Sequence, residues 1–358
     1  MPDIVSRAIG KKLIFWFSEV GRENIGMIGG KCASLGEIIR AGIPSSDGFT
    51  ITAQAFNKFV KDVGLSTVIS QYIAKFADTT DCTCYEEASH CLRSIIEEKQ
   101  IPDDLAEVIV EAYDSLSEKC HTTDVPVAVR SSGLAEDMAD TSFAGQHDSY
   151  GNVWGASELL ESVLKCWSSL FTARAISYRI KTKIGFENLG IGIAVQRFIL
   201  AKCAGVGFTV HPVTGDTSKI IIDGSWGLGE SVVSGMVTPD SYVINKQSLT
   251  LEEVMIKRKL LEIVPCLKQV GCQQREVSVK RQQKACLNIE QVCKLAELGK
   301  KLELHFGCPQ DFEWAIDSTV RFPNNIVILQ SRPMTAIESA KKPSRQIADM
   351  IVSRTLGR

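Results

Sequence analysis

Apolar positions in the first half of the chain recur mostly at helical spacing. Leu35, Ile38 and Ile39 follow Gly29-Gly30-Lys31, and Gly42 with Pro44 stops the run, which predicts a helix opening at the paired glycines. Thr52 stands as an N-cap before Phe56, Phe59, Val60 and Val63, and Gly64 closes this second helix. Residues 66–120 read as mostly helical, with a weak break around 78–84. The clearest amphipathic pattern is Ser157–Lys181, where Leu160, Val163, Leu164, Trp167, Phe171 and Ala175 form one stripe and predict a single core-packing helix. Short β-branched runs predict strands at Val125–Val129, Ile191–Leu200, Gly205–Val210, Lys219–Asp223, Tyr242–Ile244, Asp311–Asp317 and Ile326–Arg332. Residues 249–285 mix charge with Val and Ile and suit strands joined by loops, and 286–306 reads as a helix. After Pro343, Ile347, Met350 and Ile351 suit a short amphipathic helix in a basic tail. Helices and strands alternate irregularly, so the fold class is α+β rather than a regular βαβ array.

The length, 358 residues, suits two or three domains, or one domain with two lobes. Forty Lys and Arg against 42 Asp and Glu leave a net charge of −2, which argues against a chain built to grip nucleic acid. No apolar run reaches the roughly 18 residues of a membrane span, and the N-terminus lacks the plan of a secretory leader. Twelve cysteines are scattered, as in Lys165-Cys166-Trp167, and suit reduced thiols in a cytoplasmic protein. Cys82 and Cys84, with His90 and Cys91 nearby, lack a second ligand pair at zinc spacing, so helix and loop is the better reading there.

Four segments combine small residues with a few charges. Gly29-Gly30-Lys31 opens a helix, where free N–H groups and the helix dipole favour an anion and Lys31 adds a charge; a plain turn explains the glycines equally well. In Val127-Ala128-Val129-Arg130-Ser131-Ser132-Gly133 an apolar strand ends in an Arg suited to grip phosphate oxygens. The small, hydroxylic stretch Glu136–Gln146 that follows suits a loop closing over a nucleotide. Residues Gly205–Gly215 and Gly224–Gly235 place glycines inside strands, which suggests a flat pocket wall; His211, before Pro212, reads as an orienting or structural histidine. The sharpest segment is Asp311-Phe312-Glu313-Trp314-Ala315-Ile316-Asp317. Its alternation puts Asp311 and Glu313 on one face and Phe312, Trp314 and Ile316 on the other. A turn at Pro323-Asn324-Asn325 predicts a hairpin with Ile326–Arg332. Glu313 then meets Gln330, and two oxygen donors of the kind Mg²⁺ prefers lie beside Arg332.

Together these segments resemble the nucleotide-binding domain of phosphoenolpyruvate synthase, pyruvate phosphate dikinase and rifampin phosphotransferase. The matching stretches are GGK-ASLGE (29–37), the AVRSS…AED…TSFAGQ run (128–146), QR (196–197), GVGFTVHPVTG (205–215), WGLGE…VVSG (226–235), DFEWA (311–315) and ILQSRP (328–333). They run in the family's order across roughly residues 13–337. The resemblance implies an ATP-grasp-like clamp: an N-terminal lobe over 1–195, a C-terminal lobe over 196–337, and a basic tail over 338–358. It implies that Lys31, Arg130 and Arg332 hold and act on phosphates, that Glu313 and Gln330 bind Mg²⁺, and that Asp311 supports the metal side. It further implies that Gln196, Arg197, Phe198 and Ile199 line the adenine, that Glu230 faces ribose or phosphates, and that Thr209 belongs to the nucleotide-binding set.

Enzymes of this family also carry a swivelling domain whose histidine takes a phosphoryl group from ATP, and a domain that binds the final substrate. None of the five histidines here, His90, His121, His147, His211 and His305, sits in such a setting, and the residues after Pro333 are too few for another domain. The expected activity is therefore a Mg-ATP-dependent phosphotransferase whose acceptor is a small molecule or a separate histidine-bearing partner. The alternative is an ATP-binding regulatory or sensor module without turnover. Retention of Asp311, Glu313, Gln330 and Arg332 together weighs against that alternative, and neither nucleic acid nor membrane is an expected partner.

Overall fold

The computed structural model of the chain describes residues 12–76, 82–134, 149–182 and 190–334. The loop expected to close over a nucleotide (136–146) and the expected tail helix lie outside these residues.

Thirteen described strands form two large antiparallel sheets and one hairpin. The first sheet has the order β1-β2-β5-β3-β4, from β1 (Ile14–Trp16), β2 (Gly48–Ile51), β3 (Val127–Gly133), β4 (Ser149–Val153) and β5 (Ile191–Arg197). The second has the order β13-β12-β6-β7-β8-β9. Its strands are β6 (Ala201–Phe208), β7 (Lys219–Trp226), β8 (Asp240–Asn245), β9 (Leu251–Met255), β12 (Gln310–Asp317) and β13 (Ile326–Pro333). Strands β10 (Leu261–Pro265) and β11 (Cys272–Glu276) form a ladder with each other alone, and an isolated bridge links Ile263 to Gly227. With every ladder antiparallel and the helices grouped against sheet faces, the fold is α+β.

Helix α1 (Ile25–Arg40) lies against both sheets and ties them together. Helices α2 (Ala53–Asp62), α3 (Leu65–Phe76), α4 (Cys82–Glu97), α5 (Asp103–Lys119), α6 (Ala156–Ser168) and α7 (Ala173–Thr182) contribute to the core of the first sheet, where Trp167 stacks on Phe59 at 4.9 Å. Short helices α8 (Glu230–Val233) and α9 (Val279–Gln282) follow, and α10 (Ile289–Phe306) covers the second sheet through Val292, Leu295 and Leu302 over Phe312 and Trp314. A capping box at Asn288 and Gln291 starts α10, and Gly307, in the left-handed region, ends it.

Two expectations need correction. The stretch 157–181 is not one helix: α6 ends at Ser168, a 3₁₀ turn spans Ser169–Phe171, and Thr172 is extended before α7. Ser168 and Ser169 donate hydroxyl hydrogen bonds back to the carbonyls of Lys165 and Cys166 as the helix ends. Strands β1, β2 and β4 went unseen because each is short and lacks a distinguishing alternation.

The second sheet also buries an ion pair. Asp240 and Lys259 are fully inaccessible and bonded to each other. Asp240 also accepts from the backbone N–H of Lys257 and of Cys286, each at 2.9 Å. Asp240→Ala leaves an unpaired buried ammonium, so urea denaturation should show a loss of about 3–5 kcal/mol.

Candidate functional site: a cation cluster between two sheets

The site lies where α1, the first sheet and the β12–β13 hairpin meet. Helix α1 is interrupted at Gly29, whose φ of +76° places its Cα against the backbone of Ser132, too close for any Cβ. That approach lets Cys32 N–H donate to Ser132 Oγ at 3.3 Å and Lys31 Nζ donate to the Ser131 carbonyl at 3.0 Å. One turn on, Ser34 Oγ donates to the Ser331 carbonyl at 2.5 Å, which joins α1 to β13. The paired glycines thus let α1 pack closely on β3 while presenting Lys31.

On β12 the alternation holds. Phe312 and Trp314 pack toward α10, and Asp311 and Glu313 face the opposite side. The hairpin register sets Glu313 opposite Gln330 and Asp311 opposite Arg332, with a bulge after Glu313. Directly opposed antiparallel positions hold their Cβ atoms about 4.5–5.5 Å apart, so the Glu313 carboxylate and the Gln330 amide share one patch of surface.

The strand does not end at Arg130 as expected: β3 runs on through Gly133, and Arg130, half-buried at its middle, reaches across to donate to Glu313 Oε2 at 3.0 Å, so the two sheets are linked through this pair. Burial alone would push the Glu313 carboxyl up. Arg130, in contact, and Arg332 and Lys31, nearby, outweigh it and hold Glu313 below the usual carboxylate range. Arg332 in turn donates twice to Asp311 Oδ2, at 2.7 and 2.8 Å. Asp311 is pushed up by burial, against the pull of Arg332. Three cations thus lie near the Glu313 carboxylate and its amide neighbour: Arg130 in contact with it, Arg332 bonded to Asp311, and Lys31 bonded to the Ser131 carbonyl.

The end of β5 and its connection to β6 behave differently at each residue. Gln196 is buried and donates its amide to the Leu329 carbonyl at 3.3 Å. The Arg197 guanidinium turns to Asp317 at 3.7 Å, and its backbone N–H donates to the Asp47 carbonyl. The Phe198 backbone N–H donates to the Pro126 carbonyl, and its ring lies against Gly151. Ile199 packs with Ala204, Ala315 and Val327 into a small apolar floor beside the cation cluster. Glu230 is exposed at the start of α8. Thr209 lies elsewhere: its side chain is fully buried, accepts from Gln310 N–H at 2.8 Å and faces α10 at Gly299. In His211, Nδ1 accepts from the N–H groups of Val213 and Thr214, so the ring caps its own turn.

Asp223 was not singled out from sequence. It shares a face with Glu313 through Val206, its Oδ1 is buried with no protein partner, and burial raises its carboxyl. An acid near the end of an apolar run offered no signal before the register was known. Among the described residues no group of three or more His, Cys, Asp and Glu is arranged to hold a metal, so any ion here relies on few protein donors.

The chain belongs to a family of nucleotide-binding domains: residues 25–351 match the family described as "Pyruvate phosphate dikinase, AMP/ATP-binding domain". Among curated relatives, a probable phosphoenolpyruvate synthase of Methanothermobacter thermautotrophicus is 38% identical over 346 residues, covering 97% of this chain and 49% of the relative. A phosphoenolpyruvate synthase of Aeropyrum pernix is 38% identical, covering 93% and 43%. A probable phosphoenolpyruvate synthase of Archaeoglobus fulgidus is 40% identical, covering 93% and 43%. The chain spans at most about half the length of these relatives. No helix among the described residues is long and apolar enough to cross a membrane.

Proposed function

We propose that this chain binds Mg-ATP in an ATP-grasp-like clamp and passes a phosphoryl group to an acceptor held elsewhere. The lobes are residues 1–195 and 196–337. The observation that carries the reading is the placement of Lys31, Arg130 and Arg332 near Glu313, opposite Gln330. The three cations face two carboxylates, Glu313 with Arg130 and Asp311 with Arg332, while Lys31 donates to the Ser131 carbonyl, so the face carries an excess of positive charge. A polyphosphate supplies the missing negative charge.

The donor set fits Mg²⁺. A carboxylate and an amide oxygen are hard ligands, and Mg²⁺ is commonly held by one or two such groups plus substrate phosphates. Glu313 and Gln330 would hold the ion, which supplies charge neutralisation at the transferring phosphoryl group. Arg130, paired with Glu313 in the structure, would offer its fork to phosphate oxygens, and Glu313 with Gln330 would serve the ion. Lys31 adds a point charge from the start of α1 proper, and Asp311 orients Arg332. The apolar floor of Ile199, Ala204, Ala315 and Val327 receives the base, with Phe198 and the backbone of 196–199 at its edge. Glu230 faces the ribose.

Transfer needs in-line approach at close range. Among the described histidines, His90 lies on α4, His121 follows α5, His211 caps its own turn and His305 is hydrogen-bonded to Glu37 at 2.7 Å. The acceptor on this reading is a small molecule or a separate histidine-bearing partner. A thermal unfolding series tests binding: Mg-ATP at about 100 times its Kd should stabilise the chain by about 2.7 kcal/mol and raise Tm. An unchanged Tm at millimolar Mg-ATP would contradict the reading.

A further inference from the structure

Strand β4 carries a bulge opposite Val127–Val129, and within it Asn152 adopts a φ of +55° while only 4% exposed. Asn tolerates this region better than most residues, yet a buried non-glycine there needs a reason. The reason lies across the cleft. The Asn152 side-chain amide donates both of its protons, to the carbonyls of Cys266 (3.0 Å) and Gly271 (2.8 Å), and the Asn152 backbone carbonyl accepts from Gly271 N–H at 3.1 Å. These three bonds grip the turn of the β10–β11 hairpin, which otherwise joins neither large sheet by a ladder.

The hairpin leads onward to the nucleoside end of the cleft. Ile263 of β10 bridges Gly227 and accepts from Leu228 N–H at 2.9 Å, which stitches the hairpin to the loop that places Glu230. Gly227, at φ +75°, has its Cα so near the Ile263 carbonyl that no Cβ fits. At the turn end that Asn152 grips, a Cβ at Gly151 would lie 3.5 Å from Cys272 Sγ and 3.1 Å from the Phe198 ring. The Cys272 thiol is pushed up to about 12 by burial and by the nearby Glu230 carboxylate. Asn152, the hairpin, Glu230 and Phe198 thus form one connected wall.

We infer that Asn152 is a positioning residue for the nucleoside half of the substrate: its amide latches the β10–β11 hairpin to the first sheet and so fixes the wall bearing Glu230 and Phe198. This rests on the Mg-ATP reading above. The phosphate cations are held by separate bonds, from Ser131, Glu313 and Asp311, so the latch acts on nucleoside recognition and not on phosphate binding.

The test uses the full chain with Asn152→Gly and Asn152→Asp. Glycine accepts the positive φ and removes only the amide. Aspartate keeps the size but turns a carboxylate toward two carbonyl oxygens. Calorimetric titration with Mg-ATP and with Mg-tripolyphosphate is paired with hydrogen exchange of the amides at 261–276. In Asn152→Gly, Mg-ATP affinity should fall about tenfold or more, the equivalent of one to two hydrogen bonds. Tripolyphosphate affinity should stay within twofold, the hairpin amides should exchange faster, and Asn152→Asp should be worse on both counts. Equal losses for the two ligands would mark a merely structural role, and unchanged Mg-ATP affinity with unchanged exchange would overturn the latch. Failure of the wild-type chain to bind either ligand refutes the Mg-ATP reading instead, and hairpin exchange then decides the latch by itself.

Discussion

Glu313→Gln is expected to lower ATP turnover by about 10²–10³-fold while leaving the fold intact. The substitution keeps the volume and one oxygen but removes the charge that Arg130 contacts at 3.0 Å and that would hold Mg²⁺. Charge neutralisation at a transferring phosphoryl group matters most in the transition state, so the loss should appear in kcat more than in KM. The control is Asp317→Ala, on the same strand. Asp317 is 2% exposed and accepts from the N–H and hydroxyl of Thr319, with Arg197 at 3.7 Å, so its removal should lower Tm and spare kcat. Equal effects on kcat would mean that the two acids do not differ in role. The pH dependence has a definite sign. The folded-state pKa of Glu313 is depressed, so the stability it contributes is present above the ordinary carboxylate range and is lost as pH falls through the folded value. Glu313→Gln should therefore flatten the acid limb of the stability curve.

The second large effect concerns the acceptor. Incubated alone with ATP labelled at the β and γ positions, the chain should hydrolyse nucleotide slowly and acquire no stoichiometric acid-labile label. Addition of the right acceptor, a histidine-bearing partner or a small molecule, should raise turnover by orders of magnitude. The physical ground is the in-line approach that phosphoryl transfer requires, together with the placement of His211, whose Nδ1 is held by two backbone amides of its own turn. His305 is tied to Glu37 on α1. Alkaline gel analysis and nucleotide chromatography decide the matter. Stoichiometric acid-labile label on this chain would contradict the proposal and would single out His211.

What was legible in the sequence follows from local rules. The β12–β13 hairpin was readable from strict alternation and the Pro-Asn-Asn stretch before Ile326, but the pairing of Glu313 with Gln330 rather than Leu329 comes from the bulge after Glu313, which no alternation encodes. The paired glycines were readable as a break before an apolar helical run, but α1 opens earlier, at Ile25, and Gly29 interrupts it rather than starting it. Other features depend on packing that no local pattern encodes. Thr209 follows a strand near the site, but its face is determined by pairing with Gln310, which turns it into the core. Arg197 belongs to the connecting segment, yet its side chain is drawn to the buried acid at Asp317. Asn152 and the β10–β11 hairpin meet across more than a hundred residues, through a bulge that leaves no trace in hydropathy.

The central claim is that Lys31, Arg130, Arg332, Glu313 and Gln330 form one Mg-ATP phosphate site. Calorimetric titration of the chain with ATP, with and without Mg²⁺, beside Arg130→Met, tests it most directly. The wild-type chain should bind one ATP per chain, with affinity that depends on Mg²⁺, and Arg130→Met should weaken binding at least tenfold, the scale of a lost charge-assisted pair. Absence of binding by the wild-type chain, or Mg-ATP affinity unchanged by Arg130→Met, would contradict the account.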